Sequence, residues 1–96
     1  MAREVYIEGL ACSLLRGRGC LTPKMGTEGW PDRLVVYAPG KHFWIEFKKP
    51  GGRLTPAQKV RIPRLRKRGE EIHIIDAALE AVALLNGRIP SKEPAP

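Results

Sequence analysis

One α/β domain, with a mixed sheet flanked by helices on both faces, is the fold this sequence predicts, and three observations lead to it. Helical and strand-like segments follow one another in the order α-β-β-β-α-β-α. The strand segments are apolar on both sides, as strands covered on both faces must be. A chain of 96 residues has room for one core, with a modest buried fraction that a partner subunit would enlarge.

Arg3 to Arg16 reads as the first helix. Val5, Ile7, Leu10, Ala11, Leu14 and Leu15 give a broad apolar face at helical spacing, and Gly17 to Gly19 end it. Cys20 to Met25 is expected to be a short strand, with Pro23 placing it at an edge or making it irregular. Gly26 to Pro31 is a loop that carries Trp30 to the entrance of the next strand.

Arg33 to Tyr37 is a strand. Pro39 and Gly40 stand where a type II turn needs them, so His42 to Lys48 returns antiparallel. Pro50, Gly51 and Gly52 then break the sheet. Thr55 as N-cap, Pro56 at the first helical position and Gln58 closing a capping box start a helix that runs to Arg68 and stops at Gly69. Pro63 should kink it, because proline removes one helical amide. Glu71 to Ile75 is the last strand, and Asp76 is placed to cap a final helix from Ala77 to Leu85. Residues 1–87 therefore form the domain. Residues 88–96, with three prolines and mixed charge, are expected to be a disordered tail.

The net charge of +7 is unevenly placed. Lys41 to Arg68 holds ten Lys/Arg and one acid, Glu46, and so carries +9, which leaves the rest of the chain near −2. Such a block around a buried-looking carboxylate points to a polyanion, and nucleic acid is the commonest. Lys49, Arg53, Lys59, Arg61, Arg64, Arg66, Lys67 and Arg68 are the candidate phosphate contacts. No run is long enough to span a membrane, and MAREVYIEGL lacks an apolar secretory core, so an intracellular protein is expected. Cys12 and Cys20 have no zinc-like spacing and are read as reduced packing residues. His42 and His73 each stand on a strand without a second ligand at motif spacing, and are read as structural or surface groups.

The chemistry sits in the second hairpin strand. Glu46 and Lys48 project to one face while Ile45 and Phe47 point to the other. A carboxylate and an ammonium on an otherwise apolar strand are costly unless they pair, bind a metal or react. Asp32 heads the preceding strand, where a tight hairpin can bring it beside Glu46. Two such acids suit Mg²⁺ or Mn²⁺, with positions left open for water and phosphate. Lys48 can then orient or deprotonate the attacking water, or stabilise the charge that develops. Trp44 shares the face of Glu46 and Lys48 and is read first as core packing.

Pro31-Asp32, thirteen residues, then Glu46-x-Lys48 resembles the PD-(D/E)xK nuclease superfamily. Lys49-Pro50-Gly51-Gly52, Leu54-Thr55-Pro56 and Gln58 make the likeness one to the VRR-NUC family, in its stand-alone phage or bacterial form, over roughly Glu8 to Asp76. The resemblance implies a restriction-endonuclease-like α-β-β-β-α-β core. It adds the main-chain carbonyl of Phe47 as a metal ligand, a third acid from the first helix (Glu8 by spacing, with Glu4 one turn away) and Gln58 facing the site. It further implies a metal-dependent DNA endonuclease that works as a homodimer on branched DNA such as Holliday junctions, in the cytoplasm of a bacterium or of a phage's host. A two-fold dimer matches the symmetry of a four-way junction. Two alternatives stay open: a non-catalytic nucleic-acid-binding module using the same basic block, and a flap or single-strand nuclease on the same core.

Overall fold

The computed structural model describes residues 3–88, so residues 89–96 of the expected tail lie outside the described residues. Its elements are α1 (Glu4–Arg16), β1 (Arg33–Ala38), β2 (Lys41–Phe47), α2 (Pro56–Lys67), β3 (Ile72–Ile75) and α3 (Ala78–Asn86). The sheet order is β1-β2-β3, antiparallel between β1 and β2 and parallel between β2 and β3. A parallel pair needs a long crossover, and α2 supplies it.

The alternation of β2 sorts the molecule into two layers. Phe43, Ile45 and Phe47 point into the main core, where Ile7, Ala11 and Leu15 of α1 meet Ala78, Ala81 and Leu85 of α3. Trp44 points the other way, into a smaller cluster with Ile62 and Leu65 of α2 and Ile72 of β3. Glu46 and Lys48 share the Trp44 face, so the site lies on the α2 side of the sheet.

Three expectations are corrected. The first strand, 20–25, is reduced to two isolated bridges, Leu21 with Val36 and Lys24 with Arg33, because Pro23 between them has no N–H to offer. It still borders β1, and the Pro23 carbonyl accepts from the Leu34 amide at 3.2 Å. On α1, Val5 and Leu10 are exposed together with Tyr6; the sheet and α3 cover only the stripe Ile7, Ala11, Leu15 with Glu8 and Cys12 beside it. Finally, α3 starts one residue late, with Ala77 at the N-cap and no side-chain cap, so Asp76 does not cap it.

The turn and the helix start follow the sequence closely. Gly40 has φ 70°, as the second central residue of a type II turn requires. Thr55 Oγ1 accepts from the Gln58 amide at 3.2 Å, and Gln58 Oε1 accepts from the Thr55 amide at 3.0 Å, which is the expected capping box. Pro63 lies inside α2, and the helix continues past it to Lys67. Cys12 and Cys20 are free and buried, and burial pushes both thiols up. No helix among the described residues is long and apolar enough to cross a membrane.

Gly29 holds the loop before Asp32 against α2. Its φ is 84°, and a Cβ there would lie 3.2 Å from the Ala57 carbonyl oxygen and 3.3 Å from the Ala57 Cβ. Gly26, with φ 74°, has open space around it. Gly26→Ala should therefore cost about 1–2 kcal/mol of left-handed strain alone, and Gly29→Ala measurably more. Urea unfolding of both variants checks this; equal losses would mean that the contact with Ala57 contributes nothing.

Candidate active site

The ladder between β1 and β2 places the two acids. Arg33 pairs with Ile45, so the preceding residue, Asp32, falls opposite Glu46. Asp32 then takes over the ladder with its side chain: Oδ2 accepts from the Phe47 amide at 2.8 Å. The N–H and C=O of one strand residue point to the same side. The Phe47 carbonyl therefore lies on the Asp32 edge of β2, while the Trp44 and Lys48 amides turn to β3 and bond the carbonyls of Glu71 and Ile75.

Glu46 is 2% exposed, and its two oxygens differ. Oε2 accepts from Gln58 Nε2 at 2.7 Å and lies 3.1 Å from Lys48 Nζ. Oε1 is fully buried and has no hydrogen-bond partner among the described residues. Gln58 thus makes two contacts at once. Its oxygen closes the helix cap and its amide nitrogen holds Glu46, an orientation fixed because a carboxylate can only accept.

The first helix brings two more acids near without adding them to the pair. Glu8 accepts from Arg33 Nε at 2.7 Å, and Lys24 Nζ lies 3.8 Å away. Arg33 is itself anchored to the Thr22 carbonyl at 2.7 Å. Glu4 lies 3.8 Å from Lys48 Nζ and is largely exposed. Among the described residues no three His, Cys, Asp or Glu side chains converge as a metal cage. Glu8 is tied to a cation, and Asp32 and Glu46 stand as a pair.

Burial pushes both carboxyls of that pair above the usual carboxylate range. For Asp32 the Phe47 amide and Lys48 pull back, while Glu8 and Glu4 push further. For Glu46 the charge of Asp32 adds to burial, against Lys48 and Gln58. An orphaned carboxylate oxygen, a second acid opposite it and a carbonyl on the same edge form the donor set that a hard divalent cation takes. Two carboxylates leave a cation free to keep waters, as Mg²⁺ does. The residues present fit such an ion.

A cleft of about 330 Å³ opens here, lined by Lys24, Gly29, Trp30, Asp32, Thr55 and Gln58 among others. Lys49, Arg53, Lys59, Arg64, Lys67 and Arg68 are exposed and Arg61 is half-buried. Arg66 uses Nη2 on the Ile72 carbonyl at 2.7 Å, so part of its guanidinium is structural. His42 pairs with Glu70 at 2.8 Å and His73 with Glu71 at 2.6 Å, both away from the acids of the cleft. Trp44 is buried, as expected of a packing residue, and its Nε1 donates to Glu70 at 2.6 Å.

Two residues went unremarked in the sequence. Arg33, which neutralises Glu8, had a signal: a charged residue directly after Asp32 at the head of an apolar strand. Glu70 had one as well, since a buried indole N–H needs an acceptor.

No family model matches the chain. A curated protein of Acyrthosiphon pisum secondary endosymbiont phage 1, named "Putative nuclease p44", is 35% identical over 80 residues, covering 80% of this chain and 86% of that protein. A solved structure described as "VRR_NUC domain" superimposes with a TM-score of 0.78 at 24% identity, covering 93% of this chain and all of the other. That structure supports the fold, a mixed three-stranded sheet flanked by helices.

The raised carboxyls set a sign for stability. The folded protein binds more protons than the unfolded chain above the ordinary carboxylate pKa, so stability from this pair is present on the acid side and lost as pH rises through the raised values. Asp32→Asn keeps an acceptor for the Phe47 amide and removes one charge. It should melt higher than the unsubstituted protein at neutral pH in EDTA, by a margin that shrinks toward acid. Mg²⁺ or Mn²⁺ at a hundredfold above its Kd should stabilise the unsubstituted protein by about 2.7 kcal/mol and leave Asp32→Asn nearly unmoved. Equal metal shifts in both proteins would remove Asp32 from the site.

Proposed function

The chain belongs to the VRR-NUC family of nucleases, and from that premise we propose that it hydrolyses phosphodiester bonds of DNA with Mg²⁺ or Mn²⁺ held at Asp32 and Glu46. The observation that carries this reading is the orphaned Oε1 of Glu46, a buried carboxylate oxygen with no hydrogen-bond partner among the described residues. Leaving such an atom unpaired costs free energy that a bound cation would offset. The Phe47 carbonyl is the third protein ligand in this proposal. Glu8, ion-paired with Arg33, also pushes the Asp32 carboxyl up.

A divalent cation held by Asp32 and Glu46 would supply Lewis-acid polarisation of the phosphate and activation of water. The protein's own contributions are positional and electrostatic. Gln58 fixes the Glu46 carboxylate so that Oε2 is occupied and Oε1 is presented. Lys48, 3.1 Å from Glu46 Oε2, orients the attacking water and counters the negative charge that builds on the phosphoryl oxygens. Asp32, pinned by the Phe47 amide, cannot swing away from the sheet edge. The exposed cations of α2 and of the turn before it hold the flanking phosphates.

The proposal extends to a two-fold homodimer acting on branched DNA. One chain carries one set of Asp32, Glu46 and Lys48, and a paired cut takes two sets. Val5 and Tyr6 on α1, 72% and 67% exposed, offer apolar surface to a second copy.

Labelled duplex, flap and four-way DNA, incubated with Mg²⁺, Mn²⁺ or EDTA, tests the reading. Glu46→Gln and Lys48→Ala should each lose about a hundredfold or more in cleavage rate while DNA affinity is kept. Cleavage in EDTA, or full-rate cleavage by Glu46→Gln, would sink the metal site proposed here. For the dimer, light scattering at micromolar concentration should give twice the chain mass. Mixing with excess Lys48→Ala chains should turn paired cuts into nicks, and paired cuts that persist unchanged would exclude it.

A further inference from the structure

A second concavity lies along α2, beside the one that holds the acids. Arg61, Arg64, Leu65 and Arg68 fall at helical spacing on one face, and Trp30 from the loop before β1 closes it to a pocket of about 260 Å³. The Arg61 guanidinium lies 5.3 Å from the centre of the Trp30 ring, and that ring leans on Trp44 at 5.8 Å. Arg68 Nη1 donates to the Arg64 carbonyl at 3.1 Å, which turns its guanidinium back along the helix. None of the three arginines is paired with a carboxylate among the described residues; each ion pair found there uses other cations.

Three guanidiniums gathered in one concavity without an acid repel one another until an anion enters. Guanidinium presents its donors in a planar fork suited to phosphate oxygens. Trp30 lines both this pocket and the cleft at Asp32, so the two are neighbours on either side of its ring. Resting on the nuclease reading, we propose that Arg61, Arg64 and Arg68, with Trp30 as their wall, form a discrete subsite for one phosphate of the DNA strand that enters the cleft.

The helix gives the distance. α2 rises about 1.5 Å per residue, so the pocket's middle at Arg64 and Leu65 lies about 10 Å beyond Gln58, which holds Glu46. At about 3.4 Å of rise per nucleotide of a strand, that is about three nucleotides from the bond being cut. The subsite sets the register of the strand. It differs from a diffuse basic surface, which would weigh every phosphate alike.

The test is a scan in which one phosphate at a time is replaced by an uncharged methylphosphonate. Binding is read in EDTA and cleavage in Mg²⁺, with the unsubstituted protein and with the Arg64→Gln/Arg68→Gln double variant. Both arginines are exposed, so the double variant should keep its Tm. The unsubstituted protein should lose about tenfold in affinity at one position, about three nucleotides from the cut, and the double variant less than about twofold there. Lys67→Gln, on the same helix but outside the pocket, should keep the position-specific loss. An equal loss in the double variant, or a flat profile in the unsubstituted protein while Mg²⁺-dependent cleavage is intact, overturns the subsite and leaves the nuclease reading standing. A position-specific binding loss without any cleavage does the reverse.

Discussion

The rest of the structure depends on how one buried carboxylate, Glu46, is held. A charge in the central strand of a sheet is unfavourable unless its hydrogen bonds are made, and here only one oxygen has them. The partner on that oxygen, Gln58, is itself fixed by the start of α2, where its other end closes the cap. The geometry of the acid is thereby tied to the most strongly specified helix start in the chain. The loop before Asp32 is locked to the same helix turn, since Gly29 packs on Ala57. Strand, loop and helix meet within one turn of Gln58.

The two faces of β2 explain why this holds without a large core. One face is apolar from Phe43 to Phe47 and carries α1 and α3. The other is divided along its length: Trp44 packs on Ile62 and Leu65, and further along Glu46 meets Gln58. α2 buries three side chains, Gln58, Ile62 and Leu65, and leaves most of the remainder of its surface cationic. A helix anchored by so few contacts gains little from burial. It does set basic groups beside the acids at fixed distances, and sharing one helix is what makes those distances fixed.

What was legible in the sequence was local. The thirteen residues between Asp32 and Glu46 hold a strand, a two-residue turn with glycine at its second position, and a returning strand, so counting brings the two acids near each other; a regular hairpin would set Asp32 opposite Phe47, and the register shift between Val36 and Ala38 sets it opposite Glu46. The capping box was written in the four-residue stretch from Thr55 to Gln58. What was illegible needed partners remote in the chain. Glu8 and Arg33 lie 25 residues apart, and the charge that marks Arg33 at the head of its strand does not name its partner. The outer face of α1 reads as apolar because Val5, Tyr6 and Leu10 are apolar, yet which stripe is buried depends on where α3 docks. The edge at 20–25 kept its place beside β1 and lost its ladder, the irregularity that Pro23 had announced and periodicity alone would miss.

Charge placement joins these parts. A cleft that is to take both a cation and a phosphate faces opposite demands, since acids that attract the first repel the second. Here the demands are separated by pairing. Glu8 is neutralised by Arg33 with Lys24 near by, Glu4 stands against Lys48, and one oxygen of Glu46 is covered by Lys48 and Gln58. The uncompensated negative charge is thus narrowed to the edge where Asp32 and Glu46 face each other, while the flanks are left to Lys and Arg. At the effective dielectric of a protein surface, charges about 4 Å apart interact by about 4 kcal/mol, and salt weakens those farther than about 10 Å. A cation held between the two acids therefore acts on them at close range. Under the proposed function, a phosphate chain entering along α2 would meet the screened field of the basic flank first and the acids last.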